Sequence, residues 1–230
     1  MADITIYLGN KNYSSWSLRP WLALKQTGVA FNEVVIPLRQ ADSSAEIRRV
    51  SPSGRVPALR HGGTLVWDSL AICEYLAEIF PEAGLWPADR AARAVARSVS
   101  AEMHAGFLDL RRNLPMDLSR CQSHRNRAAA ALDDIDRVTA IWRDCRERFG
   151  SHGAAATKNG NGDFLFGGFS IADAMFAPVA SRFRTYGVAL DPTSAAYVDA
   201  VWNWPAMREW AAAAEAEPWT VTFDVFENSL

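Results

Sequence analysis

The order of periodicities along the chain restricts the fold more than any other feature. Short strand and helix signals alternate up to about residue 80, and past residue 89 only helical signals occur. Ile4, Ile6 and Leu8 alternate with Thr5 and Tyr7, the period of a half-buried strand. Leu18, Trp21, Leu22 and Leu24 then take a helical spacing that runs to Gln26 and stops at Gly28. Pro20 is expected in the first turn of that helix, where a missing N–H costs little. FNEVVIP (31–37) is a second β-rich run, and residues 44–50 read as a short helix. VPAL (56–59) and TLVW (64–67) flank HGG, a hairpin reading. In DSLAICEYLAEIF (68–80), Ile72, Cys73, Leu76, Ile79 and Phe80 share one helical face, which Pro81 ends. The order is β-α-β-α-β-β-α, with an antiparallel hairpin last.

The second half has a different grammar. ADRAARAVARSVSAEMHAGFLDLRRNL reads as one long helix. Residues 125–149 read as another, with Leu132, Ile135, Val138, Thr139 and Trp142 on one face. SHGAAATKNGNGD (151–163) has no period and is expected to be a mobile surface loop. In SIADAMFAPVASRFRTYG (170–187), Ser170 and Asp173 have the spacing of a capping box. A last helix is expected over 205–217, before an extended tail. The fold class is therefore α/β plus all-α: an α/β unit over 1–82, a linker over 83–89 inside EAGLWPAD, and an all-helical unit over 90–230.

Bulk properties exclude several function classes. A formal charge of −2 gives no broad basic field, so neither nucleic acid nor an anionic membrane surface is an expected partner. Cys73, Cys121 and Cys145 form neither a CxxC pair nor a zinc pattern, so no metal is expected and the usage suits a reducing compartment. With no signal-like opening and no apolar run of membrane-spanning length, the chain reads as cytoplasmic.

Three separated features carry chemistry. Tyr13, Ser14, Ser15 and Ser17 crowd the turn from strand to helix, where backbone N–H groups, the helix dipole and a hydroxyl can stabilise a developing anion. Capping of the helix by Ser15 or Ser17 is the competing account of that loop. In SPSGRVPAL a proline at a strand entrance is odd, because it cannot donate to the ladder. A cis Val56–Pro57 bond would turn the Val56 backbone outward, free to pair with an extended ligand. In WDSLAI, Asp68 and Ser69 start a helix, a place that suits a carboxylate, with simple capping as the alternative. An anion donor, a backbone edge and a carboxylate cradle together describe a site for a short anionic peptide thiol.

On these residues the sequence resembles the cytosolic glutathione S-transferase family. SPSGRVPAL is similar to its Pro-x-x-x-Val-Pro segment, DSLAI to its Glu/Asp-Ser-x-Ala-Ile segment and FSIADAMFAP to its buried capping-box segment. YSSWSLRPWLAL is most similar to the serine-using, zeta-like branch, which carries Ser-Ser-Cys-Ser here. The resemblance implies a thioredoxin-like amino-terminal domain, a helical-bundle carboxyl-terminal domain, glutathione as co-substrate, a small electrophile as second substrate, a detoxification context and a homodimer. It implies Ser14 as the hydroxyl that hydrogen-bonds the glutathione sulfur, with Ser15 as neighbouring donor. It also implies glutathione binding by Val56 through its backbone, Pro57 as the cis-proline, Asp68 and Ser69 at the γ-glutamyl end, and Gln40 and Arg55 near the glycyl carboxylate. Trp16 stands where the zeta-like pattern has cysteine, which sets this chain apart from that branch's cis–trans isomerase chemistry. Trp16, His104, Phe107 and Arg111 are expected to line the electrophile site, His104, Phe107 and Arg111 forming one helical stripe. Tyr7 is the alternative donor, and Cys73 falls on the apolar helix face as a core residue. Rival readings are a glutathione-dependent isomerase or dehalogenase, a thiol-disulfide reductase, disfavoured by the absence of a loop cysteine, and a non-enzymatic glutathione-binding module.

Overall fold

Ile4–Leu8 (β1), Asn32–Val35 (β2), Ala58–His61 (β3) and Thr64–Trp67 (β4) form one sheet in the spatial order β2-β1-β3-β4. The structure is a computed structural model that describes residues 4–120, 125–150 and 162–221. β2 lies parallel to β1, while β3 and β4 run antiparallel to their neighbours. Parallel pairing of consecutive strands needs a crossover, and Ser15–Gln26 (α1) provides it. β1 is central, and its Ile4, Ile6 and Leu8 are fully buried while Thr5 and Tyr7 keep some exposure. Ser43–Val50 (α2) precedes β3, and Ser69–Ile79 (α3) follows β4 and packs beside α1.

Two local readings of this half change. Ser14, not Ser15 or Ser17, is the N-cap of α1, so the helix starts earlier than its apolar period shows. Pro20 is consequently interior to the helix rather than in its first turn, and the Trp16 carbonyl loses the N–H donor it would otherwise meet. The expected stop is observed, with Gly28 at φ +72°, a left-handed conformation that glycine adopts without a Cβ penalty. Gly62 takes the same region in the hairpin turn, at φ +56°.

The helical half is Arg90–Ala105 (α4), Leu108–Asn113 (α5), Leu132–Phe149 (α6), Ile171–Tyr186 (α7), Pro192–Asn203 (α8) and Pro205–Glu215 (α9). The expected single long helix is two, because the chain turns at Gly106 and Phe107, the latter at φ +61°. Residues 125–131 form 3-10 turns ahead of α6 rather than its first turns, and Leu132 is exposed while Ile135, Val138, Thr139 and Trp142 are buried. The expected loop over 151–163 falls mostly outside the described residues, as does the tail beyond 221. Helix α8 was not among the expected elements.

α7 is buried on nearly all sides, which explains its apolar character around the whole circumference. It packs against α1, α4 and α8, so the sheet layer and the bundle share one core. Trp142, Phe176, Phe183 and Tyr197 form an aromatic cluster with ring centroids 4.7 to 6.0 Å from the Trp142 ring. The linker joins that core too: Leu85 and Trp86 are buried, and the Leu85 carbonyl accepts the Ile171 N–H at 2.9 Å. At the start of α7, the Asp173 carboxylate accepts hydrogen bonds from the Ser170 N–H, the Ser170 hydroxyl, the Leu165 N–H and the Tyr197 hydroxyl. No described helix is long and apolar enough to cross a membrane.

Candidate active site

A cleft of about 510 Å³ opens between the sheet layer and α4. One wall is Val56 and Pro57 before β3, and their peptide bond is cis. Val56 is not part of the ladder, and its N–H and carbonyl meet no hydrogen-bond partner among the described residues. Ser53 and Arg55 form the rim beside it. The floor is the start of α3, where Asp68 is the N-cap at φ +77°. Its Oδ1 accepts the N–H groups of Leu70 and Ala71 at 2.9 and 3.1 Å. Ser69 follows, fully enclosed, with a hydroxyl that has no partner. A buried hydroxyl without a partner is unfavourable unless something else supplies one. Trp67 and Trp16, both partly exposed, and His104 of α4 complete the lining.

The hydroxyl loop lies beside Trp16. Ser14 Oγ sits 2.8 Å from Ser17 Oγ, and Ser17 Oγ accepts the Gly9 N–H at 2.9 Å. Ser14 Oγ also accepts the Ser17 N–H at 3.3 Å. Ser15 begins the helix, and its hydroxyl meets no partner among the described residues. The backbone ahead of these serines is held from the bundle. Glu217 accepts the N–H groups of Lys11 and Asn12, and Trp210 Nε1 donates to the Lys11 carbonyl at 2.8 Å. The Asn12 side chain accepts the N–H groups of Leu118 and Ser119 at 2.7 and 2.9 Å and donates to Asp117. Lys11 itself pairs with Glu33 at 2.6 Å between the Trp21 and Trp210 rings.

Residues 13–79 match the family described as glutathione S-transferase, N-terminal domain. Over those residues the chain carries a glutathione S-transferase N-terminal domain. Among curated relatives, the protein LigF of Sphingobium sp. is 42% identical over 84 residues, 35% of this chain and 33% of LigF. Maleylacetoacetate isomerase of Pseudomonas aeruginosa is 29% identical over 222 residues, 93% of this chain and 92% of the isomerase. A solved structure of a glutathione transferase homolog from Burkholderia with bound glutathione superposes with a TM-score of 0.67 at 25% identity, covering 93% of this chain and 98% of that one. The matches to LigF and to the animal and plant relatives span 33% to 49% of those proteins' lengths.

The cleft brings together Trp16, Arg55, Val56, Pro57, Asp68, Ser69 and His104. Other expected site residues lie elsewhere. Gln40 is exposed, and its amide reaches only the Leu38 carbonyl at 3.5 Å, because α2 starts beside it and holds that loop away from the cleft lining. Phe107 is buried in the core at the turn between α4 and α5, so the stripe His104–Phe107–Arg111 does not exist as a continuous helix face. Arg111 closes the end of α4 instead. Its guanidinium donates to the carbonyls of Met103 and Gly106. Its Cζ also lies 4.7 Å from the Trp16 ring centre. His104 Nε2 lies 3.3 Å from Asp68 Oδ2, a contact across the cleft, and its ring meets Trp16 edge-on at 5.4 Å between centroids. Ser53 and Trp67 were missed, having no pattern beyond their neighbours. Cys73 is fully buried, and burial pushes its thiol far up, which makes it inert as a nucleophile.

Proposed function

We propose that this protein is a glutathione-dependent transferase that holds glutathione as its thiolate for attack on a small electrophile. The observation that carries the reading is the pair of unanswered polar groups in one cleft: the Val56 peptide and the enclosed Ser69 hydroxyl. An extended peptide pairs with the first through its backbone. Its γ-glutamyl carboxylate accepts from the second at the start of α3, where the helix dipole favours negative charge.

The sulfur then lies toward the hydroxyl loop. A free thiol near pKa ~8.5 is mostly protonated at neutral pH, and lowering it by about two units takes about 2.7 kcal/mol of preferential stabilisation. Ser14 is suited to this because of what stands behind it. The Gly9 N–H feeds Ser17 Oγ, and Ser17 lies within hydrogen-bond reach of Ser14. When Ser14 turns its proton to the sulfur, the Ser17 hydroxyl donates to Ser14 in its place, and each link polarises the next. Ser15 is the second donor. The serines are not nucleophiles; they keep the borrowed sulfur charged.

The reading is tested by titrating the thiolate absorbance of bound glutathione. Ser14→Ala should raise the apparent pKa by more than one unit, and a wild-type complex that ionises no more readily than free glutathione would overturn the mechanism. A second reading, a glutathione-dependent cis–trans isomerase, is favoured by the near full-length match to maleylacetoacetate isomerase. Trp16 in place of the branch's cysteine weighs against it. Turnover of an aryl halide without isomerisation of a maleyl substrate separates the two. The homodimer implied by family resemblance is part of the proposal and is read by light scattering.

A further inference from the structure

Behind Trp16 the structure buries positive charge without a partner. Arg19 on α1 is fully buried, and its Nε donates to the Met175 carbonyl at 3.1 Å. Its two terminal nitrogens meet no hydrogen-bond partner. Arg182 on α7 is 4% exposed, and its Nε and Nη1 are likewise unpartnered. Met175 and Arg182 are two turns apart on one face of α7, and long helical side chains lean toward the amino end, which carries the Arg182 guanidinium toward Arg19. No described carboxylate pairs with either arginine.

Burial first, and then repulsion from Arg111 and Arg182, holds Arg19 well below its ordinary range. Burial, then Arg111, lowers Arg182 to about 9. Removing a guanidinium from water without countercharge is strongly unfavourable, and for Arg19 one hydrogen bond and one aromatic face offset only part of that. Trp16 separates Arg19 from the cleft. Its ring centre is 4.4 Å from Arg19 Cζ, and the indole is 37% exposed on the cleft side. For the Arg19 N–H groups to meet the cleft, that one side chain has to turn.

We propose that Arg19 and Arg182, roofed by Trp16, form a subsite for an anionic oxygen group, a carboxylate or an inorganic oxyanion, at the inner end of the cleft. The subsite rests on the reading of that cleft as the glutathione site. Such an anion accepts from both terminal nitrogens of Arg19 in the forked geometry that guanidinium favours, and from Arg182 Nη1.

The test follows thermal unfolding of the full chain during titration with sodium sulfate, at ionic strength held with sodium chloride. Wild type should show a saturable rise of about 5 to 10 °C at a hundredfold excess over the dissociation constant. Arg182→Met should melt no lower than wild type without sulfate and should lose the saturable rise. A wild-type response linear in sulfate, or an undiminished response in Arg182→Met, overturns the subsite. Should Arg182→Met fail to fold, Arg182→Lys keeps the charge but not the fork, and must weaken sulfate at least tenfold for the subsite to stand.

The two anion sources separate with 4-chloro-3,5-dinitrobenzoate and its amide as electrophiles. Competition by sulfate against the benzoate alone assigns the subsite to a substrate carboxylate, and indifference of both rates assigns it to a free anion. Calorimetry with glutathione keeps the two readings apart. Loss of glutathione binding with an intact sulfate response removes the cleft assignment, whereas normal glutathione binding without a sulfate response removes only the subsite.

Discussion

Ser69→Ala should move stability and glutathione affinity in opposite directions. In the free protein the Ser69 hydroxyl is enclosed and has no hydrogen-bond partner, so the fold already carries the desolvation of an unanswered polar group. Removing that group relieves a penalty of about 1–3 kcal/mol, and alanine is also the better residue in the first turn of α3. Even the lower figure should raise the unfolding midpoint by roughly 2 to 4 °C in a chain of this size. On the proposed reading the hydroxyl donates to a carboxylate in the complex, a charged hydrogen bond worth about 1.5–3 kcal/mol. Its loss should raise the dissociation constant by roughly 10- to 150-fold. Calorimetric titration with glutathione and a melting curve of the same sample read both effects. Asp68 still caps α3 in the variant through Leu70 and Ala71, so the helix start is not removed along with the donor. An unchanged dissociation constant, or a midpoint that falls, would refute the assignment of this hydroxyl to a ligand carboxylate.

Other outcomes follow from the same geometry. Ser14→Ala removes a helix cap as well as the proposed sulfur donor, so it should cost about 1 kcal/mol of stability, whereas Ser15→Ala should cost a few tenths; urea unfolding distinguishes them. Ser17→Ala cuts the relay from Gly9 and should raise the pKa of bound glutathione while leaving Ser14 in place, with an unchanged thiolate titration counting against the relay. Burial pushes the Asp173 carboxyl to about 6 despite its four donors. The folded state therefore keeps a proton that an unfolded aspartate, near ~3.9, releases, so this contribution is fully present below about pH 4 and is lost as pH rises through about 6. Urea unfolding should show that slope in wild type and not in Asp173→Asn, and equal slopes would exclude Asp173 as its source. His104→Phe frees Asp68 Oδ2 from its cross-cleft contact and should tighten glutathione about two- to fivefold, since a group at the γ-glutamyl ammonium then meets no competitor; weaker binding would show that His104 supports the site instead.

The sheet half was legible because its signals are local. Alternation in β1, the glycine in the hairpin turn and the apolar face of α3 each speak within a few residues of themselves. Asp191 and Pro192 also announced α8, as an N-cap followed by a first-turn proline, and Asp191 does accept the N–H groups of Thr193 and Ser194. That signal is weak on its own, because the segment lacks a strong apolar period. Gly106 marked the break between α4 and α5 in the same quiet way. What sequence could not show is the support of the hydroxyl loop, because its partners are separated along the chain and only folding makes them neighbours. Nor does it distinguish Ser14 from Ser15, which differ in what stands behind the hydroxyl rather than in spacing.

Glu217 grips the amides of Lys11 and Asn12 from 206 and 205 positions further along the chain. The loop that presents Ser14 is thus assembled from segments more than 200 residues apart, and a ribosome must release Glu217 before that loop can be completed. On the proposed reading, Glu217→Gln in the full chain would leave Val56 and Ser69 to bind the tripeptide while loosening the loop that keeps its sulfur charged. Affinity and ionisation would then come apart.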